Sequence, residues 1–281
     1  MAAATTGPRK PGRAVENAST CDCTSRTQKA SLRFYAELND FLPPERRGRS
    51  VEYSFYVSPS VKDAIESLGV PHTEVDLVLV NGASVDFTHL LKDGDRVSVY
   101  PVFESIDISP VLKVRPKPLR EPRFVADGHL GRLAAYLRLL GFDTAYRKDA
   151  SDDELARISR EQHRILLTRD RGLLKRGAVT HGYYVRHTDP RLQLREVVDR
   201  FDLAGRAAPF SRCLRCNAPL AEAGETDLAG RLPSRVRELH DRFWTCPQCR
   251  RVYWEGSHHR RMRQLLTLVL PGRSPSEPRP A

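Results

Sequence analysis

The sequence predicts a multidomain chain: a small α+β roll, then an α/β domain built on a parallel sheet, then a small module held by zinc. Three observations carry this expectation. Residues 31–108 read in the order strand, strand, helix, strand, strand; residues 123–205 alternate buried strands with amphipathic helices; and Cys213, Cys216, Cys246 and Cys249 form two CxxC pairs. A chain of 281 residues has room for two or three such units.

Residues 1–30 are rich in Ala, Thr, Ser, Pro and Gly, a composition with little apolar surface to bury, and are expected to be a disordered tail. Cys21 and Cys23 lie within it as a CxC pair, a weak metal signal without a second pair. From Ser31, Leu32 to Ala36 alternates as a strand and Val51 to Val57 reads as a second. Ser60 then caps a helix with Val61, Ala64, Ile65 and Leu68 at helical spacing, and Gly69 closes it. Val75 to Val80 is a strand, Asn81-Gly82 a tight turn, and Asp95 to Tyr100 the last strand. Pro110, Pro116, Pro118 and Pro122 make residues 109–122 an extended linker.

In the second unit, Arg123 to Asp127 is a short buried strand ending in an acid. Leu130, Leu133, Ala134, Leu137 and Leu140 then share one helical face, with Gly141 as the stop. Asp143 to Tyr146 is a strand, Ser151 to Glu154 opens a second helix, and Arg164 to Thr168 is another buried strand, followed by Asp170. Strands joined by crossover helices imply a parallel sheet, whose sites lie beyond the carboxyl ends of its strands. Asp127 and Asp170 are therefore expected at that edge, with Asp152 or Asp153 beginning a helix near it. Three carboxylates there suit Mg²⁺ or Mn²⁺, which can activate water and stabilise a hydrolysed phosphodiester. Each acid also has a structural reading: Asp127 and Asp152 as helix caps, Asp170 as a turn residue.

The third unit, residues 206–270, carries the cysteines. Two CxxC turns make a closed four-thiolate Zn²⁺ site, which points to a structural metal, since a catalytic zinc keeps an open position. Asn217 to Thr245 is longer than the usual roughly 15–20-residue spacing and has room for a loop and a short helix. Residues 258–269 are expected as a terminal helix packing on this ribbon, and 271–281 as a Pro-rich disordered tail.

Charge is uneven. The chain has 46 basic and 35 acidic residues; the first 119 positions hold 15 of each, so the second half carries the whole excess of +11. A one-sided, Arg-rich domain is the electrostatic footprint of nucleic-acid binding, although an Arg-rich proteome accounts for part of the Arg-over-Lys bias. Arg138, Arg169, Arg171, Arg215, Arg250 and Arg251 are the candidate phosphate contacts. Tyr253 and Trp254 are candidates either for stacking on bases or for filling a small core. No apolar run of about 18 residues predicts a membrane span, and no signal peptide is visible, so a cytoplasmic protein is expected.

Two resemblances add to this reading. The V-N-G turn at 80–82 and the run L-K-D-G-D-R-V at 91–97 resemble the ubiquitin-like β-grasp sulfur carriers of thiamine and molybdopterin synthesis, but the terminal Gly-Gly of those carriers is absent. That implies a ubiquitin-like domain that binds a partner or its neighbour. The runs at 124–143, 152–156 and 164–174, with the cysteine pairs at 211–217 and 246–258, are similar to the PIN-like domain of the Mut-seven C-terminal RNase family. An N-terminal β-grasp domain resembles a bacterial arrangement of the same family. The resemblance implies a metal-dependent ribonuclease with Asp127, Asp152 and Asp170 as acidic ligands. For a fourth acid, Asp153, Glu154 and Asp189 are candidates. The other readings are a non-catalytic RNA-binding adaptor and, more weakly, a sulfur-transfer accessory protein.

Overall fold

In the computed structural model, which describes residues 26–101, 113, 114, 121–228 and 230–270, the first unit is a mixed five-stranded sheet. Strands β1 (Gln28–Phe34) and β2 (Ser50–Phe55) form one antiparallel pair, and β3 (Leu77–Val80) and β4 (Ala83–Ser84) another. Strand β5 (Arg96–Tyr100) lies between them, parallel to β1 and antiparallel to β3. Helix α1 (Val61–Ser67) begins as expected, with Ser60 Oγ accepting the Asp63 N–H at 3.1 Å. It buries Val61, Ala64 and Ile65 in the core beside Leu32, Phe34 and Val99. Asn81 and Gly82 both adopt the left-handed backbone (φ 51° and 86°) that a tight two-residue hairpin demands.

Strand boundaries differ from the expectation, most of all in β1 and β2; β3 starts at Leu77 rather than Val75 because His72–Glu74 form a 3-10 turn. β1 starts at Gln28 rather than Ser31, because Gln28 to Ala30 already pair with Phe55 to Tyr53. It ends at Phe34, since Ala36 turns left-handed (φ 46°) into a 3-10 segment. β2 stops at Phe55, leaving Tyr56 and Val57 exposed. Residues 1–25 of the expected tail with Cys21 and Cys23, most of the linker 109–122, and the tail 271–281 lie outside the described residues.

The second unit is a four-stranded, all-parallel sheet of β6 (Phe124–Ala126), β7 (Thr144–Tyr146), β8 (Ile165–Thr168) and β9 (Gly182–Tyr184), in the order β7-β6-β8-β9. Alternation sorts its residues between two cores. Phe124, Ala126, Ile165 and Leu167 face α2 (Gly131–Leu139) and α5 (Pro190–Arg200). Val125 and Leu166 face α3 (Asp152–Glu161) and α4 (Arg171–Leu174). The chain leaves β6 for β7 on one side and returns to β8 on the other. This reversal opens a crevice at the carboxyl ends of β6 and β8. Strand β9 and helix α5 were not anticipated; three residues, Gly182 to Tyr184, show no readable period.

The third unit is an antiparallel ribbon of β10 (Ala221–Glu222), β11 (Phe243–Thr245) and β12 (Val252–Trp254). Two short helices, α6 (Glu225–Leu228) and α7 (Ser234–Leu239), fill the insertion between the cysteine pairs. Helix α8 (Ser257–Val269) corrects the expectation for its packing. Its buried Leu265, Leu266 and Val269 join the core formed by α2, α5 and the sheet, so the helix fastens the ribbon to the α/β unit.

The first unit is seated on the β9 side of that sheet. Glu74, 2% exposed, accepts the Tyr184 N–H at 2.6 Å and pairs with Arg186 at 3.3 Å. His72 Nε2 meets the Val179 carbonyl at 2.9 Å, and Lys175 donates to the Glu66 carbonyl at 2.7 Å.

Candidate functional site

The crevice between β6 and β8 is built from the residues that end those strands. Asp127 follows β6, and its N–H bonds the Leu167 carbonyl on β8. Its Oδ1 accepts the Gly128 N–H at 2.5 Å, and its Oδ2 accepts the Thr168 hydroxyl, also at 2.5 Å. Thr168, fully buried, uses the same oxygen to accept the Asp170 N–H at 2.9 Å. Asp170 caps α4, with Oδ1 accepting the N–H groups of Gly172 (2.7 Å) and Leu173 (3.4 Å). Its Oδ2 takes no hydrogen bond among the described residues. One hydroxyl thus links the two acids across the crevice, and both also serve as caps. Asp127 is the cap the sequence suggested, Asp170 caps α4 where a turn residue was expected, and the cap of α3 is Ser151 rather than Asp152.

The loop after β7 closes one side of the crevice. Tyr146 donates its hydroxyl to the Gly128 carbonyl at 2.8 Å, and a Cβ on Gly128 would meet the Lys148 carbonyl oxygen at 2.4 Å. Only glycine fits there. His129 Nδ1 stands 3.4 Å from Asp127 Oδ2, its ring half exposed.

Asp152 is placed differently. It opens α3, and Arg176 reaches it at 3.6 Å while also contacting Asp153. Glu154 pairs with Arg147, and Asp189 caps α5 by accepting the N–H groups of Arg191 and Leu192. Among the described residues, the four cysteines are the group of three or more potential ligands gathered at ion-holding distance. The structure therefore links Asp127 with Asp170 and leaves Asp152 on Arg176.

The cysteines form two matching knuckles. Asn217 N–H bonds the Cys213 carbonyl at 2.9 Å and Arg250 N–H the Cys246 carbonyl at 2.8 Å; both residues are left-handed (φ 71° and 58°). Cys213 and Cys249 sulfurs lie 3.5 Å apart, Cys216 and Cys246 sulfurs 3.3 Å, and all four within 4.8 Å. Zn–S bonds of about 2.3 Å give a tetrahedron with edges of about 3.8 Å, so the donor set fits one zinc, while a disulfide would need about 2.05 Å. Burial pushes the Cys213 thiol up, but the N–H of Cys216, the Tyr253 hydroxyl at 3.1 Å and the N–H of Arg215 outweigh it and bring the group to about 6. Burial and the neighbouring sulfurs push Cys216 up to about 12. Four thiolates cannot share this space without a cation.

The arginine candidates divide. Arg138 is buried, and its guanidinium donates to the carbonyls of Thr144, Leu214 and Arg215. Arg169 donates to the carbonyls of Val185, Arg186 and His187. Arg171 donates to the carbonyls of Phe41 and Asp40 in the first unit. All three spend guanidinium donors on backbone carbonyls: Arg138 ties the zinc module to the α/β unit, Arg171 ties the first unit to it, and Arg169 braces the loop after β9 within the α/β unit. Arg215, Arg250 and Arg251 are exposed on the knuckles. The first knuckle docks at the start of β7, where Asn217 Oδ1 accepts the Thr144 N–H at 3.0 Å. The ribbon therefore sits at the amino edge of the sheet, away from the acids.

Sequence reasoning missed Thr168, His129, Arg176 and Asn217. A polar β-branched residue closing an apolar strand two positions before an acid was the available signal for Thr168, and the position after each CxxC was the signal for Asn217. Nothing local marks Arg176, whose partners lie across the fold.

A family model described as the Mut7-C RNase domain matches residues 122–266, and one described as Mut7-C ubiquitin matches residues 27–107. No curated protein matches. Among solved structures, the solution structure of the Haloferax volcanii HVO 2177 protein is 26% identical, covering 28% of this chain and 88% of its own, at a TM-score of 0.23.

Proposed function

The chain belongs to the Mut7-C RNase domain family, and from that premise we propose that it is a divalent-metal-dependent ribonuclease acting at the crevice of Asp127 and Asp170. The observation that carries this reading is the Thr168 hydroxyl joining the two acids at the carboxyl ends of adjacent parallel strands. The donors suit a hard cation: Asp170 Oδ2 is open, and each oxygen of Asp127 keeps acceptor capacity after its one strong hydrogen bond. Mg²⁺ or Mn²⁺ held there would polarise the phosphodiester and lower the pKa of an attacking water.

The chain's own groups then have definite tasks. Thr168 holds the Asp127 carboxylate and the Asp170 backbone in one register, and the α4 cap fixes Asp170 Oδ1 so that Oδ2 faces outward. His129 offers a nitrogen beside Asp127 on which a proton can rest. Asp152 is the proposed third ligand, and Arg176 competes with the cation for it. One zinc on Cys213, Cys216, Cys246 and Cys249 serves structure. RNA is the proposed partner, and the ubiquitin-like domain is a candidate surface for a protein partner. No described helix is long and apolar enough to cross a membrane.

A second reading, an RNA-binding adaptor without catalysis, is favoured by the Arg176 contact, which neutralises Asp152. Hydrolysis of single-stranded RNA with and without Mg²⁺ or Mn²⁺ separates the two. Cleavage that appears with the ion and stops with chelator supports the nuclease; binding without cleavage supports the adaptor.

A further inference from the structure

The residue that follows Asp170 reaches into the other domain. Arg171 opens α4, and its Nη1 and Nη2 donate to the Phe41 and Asp40 carbonyls of the first unit, both at 3.2 Å. At the far end of the turn, Lys175 donates to the Glu66 carbonyl at 2.7 Å. We propose that Arg171 is a positioning residue for Asp170, and that the docked ubiquitin-like domain, by clasping α4 at both ends, is a working part of the crevice. The proposal rests on Asp170 being a cation ligand and adds the element that sets its place.

Three observations support it. First, α4 is a single turn of four residues, too short to hold its shape by its own hydrogen bonds. Leu173 and Leu174 anchor its inner side beside Val125, Leu155 and Leu166. Arg171 and Lys175 are spaced to share a helix face, and both anchor that face on the first unit. Second, the partners suit a guanidinium. Asp40 and Phe41 end the 3-10 segment Ala36–Phe41, where the last carbonyls find no donor within the segment. The Phe41 and Tyr184 rings meet edge to face at 5.4 Å, and the Arg171 guanidinium lies 5.0 Å and 5.4 Å from their centroids. A planar fork can use carbonyls and rings together. Third, the turn carries the acid itself. Asp170 Oδ1 accepts the Gly172 and Leu173 N–H groups, so the direction of Oδ2 follows the turn. Just beyond α4, Arg176 stands 3.6 Å from Asp152, so the same stretch touches the proposed third ligand.

The full chain is compared with Arg171→Ala and Lys175→Met, zinc content checked, with Mn²⁺ alone as the probe. Charge and position predict opposite signs. As a bare cation beside the site, Arg171 would repel Mn²⁺, and its loss would tighten binding. As a positioning residue, its loss loosens the cap. The Gly172 and Leu173 amides are then expected to exchange faster and the Mn²⁺ dissociation constant to rise, each about tenfold, the share of one charge-assisted hydrogen bond. Lys175→Met is expected to shift both the same way, by less. Exchange unaltered in either variant overturns a clasp at both ends, and Mn²⁺ binding unchanged or tighter in Arg171→Ala overturns the positioning role. Asp170→Asn separates this outcome from the nuclease reading. If the unsubstituted chain binds no Mn²⁺ that Asp170→Asn abolishes, the cation reading of the crevice fails, and amide exchange still decides whether the first unit holds the turn.

Discussion

The Thr168 hydroxyl donates to Asp127 Oδ2 at 2.5 Å, joining two strand ends that lie 41 positions apart in the chain. The same oxygen accepts the Asp170 N–H, so a buried side chain with no acidic function sets the spacing of the two carboxylates.

Thr168→Val keeps the shape and removes the hydroxyl. It strips Asp127 of a donor and leaves the Asp170 N–H without its acceptor, at a cost of about 1–3 kcal/mol. Metal-dependent RNA cleavage is expected to fall at least tenfold, while Thr168→Ser retains most of it. Denaturant unfolding and cleavage rates check this; a valine variant cleaving at the original rate would show that the hydroxyl positions nothing.

Zinc removal is expected to reach beyond the ribbon. A structural zinc supplies folding energy, and Leu265, Leu266 and Val269 of α8 complete the α/β core that the ribbon leads into. Chelation is expected to release about one zinc per chain and to lower the melting temperature of the α/β unit along with the ribbon. An unchanged main transition in the zinc-free protein would mean that the ribbon is thermally independent.

Glu74 fastens the ubiquitin-like domain to β9. Glu74→Ala leaves the Tyr184 N–H without its acceptor and strips Arg186 of its buried carboxylate, leaving it Asp40 and the Tyr184 carbonyl, a loss of about 1–3 kcal/mol. Hydrogen exchange at the Tyr184 amide is expected to accelerate strongly in this variant and less in Glu74→Gln, which keeps an acceptor. Unaltered exchange in the alanine variant would count against docking through this contact.

What could be read in the sequence was local. Ser60 announces its helix by capping it three residues from Asp63, Asn81-Gly82 announces its turn by the backbone it permits, and each CxxC brings two sulfurs together within four residues. The apolar runs Phe124-Val125-Ala126 and Ile165-Leu166-Leu167, each followed by a helical stretch, announced two buried strands of a parallel sheet and so put Asp127 and Asp170 at one edge. What could not be read depends on distant partners. Arg138 looks like a surface arginine on an amphipathic helix, but the carbonyl it meets at Leu214 is 76 positions away. Arg171 looks like a phosphate contact beside an acid, but its acceptors are 130 positions upstream, in another domain. α8 carries an apolar stripe that fits either the ribbon or the α/β core, and only the assembled fold selects between them.

The most direct measurement is cleavage of single-stranded RNA by Asp170→Asn beside the unsubstituted chain, with Mg²⁺ or Mn²⁺ and in preparations free of contaminating nuclease. Asn keeps the α4 cap and the side-chain volume but removes the charge on the open oxygen. Metal-dependent hydrolysis is expected to be abolished, with RNA affinity near that of the unsubstituted chain, and Asp127→Asn is expected to behave alike. Full metal-dependent cleavage by Asp170→Asn would contradict a catalytic crevice at Asp127 and Asp170.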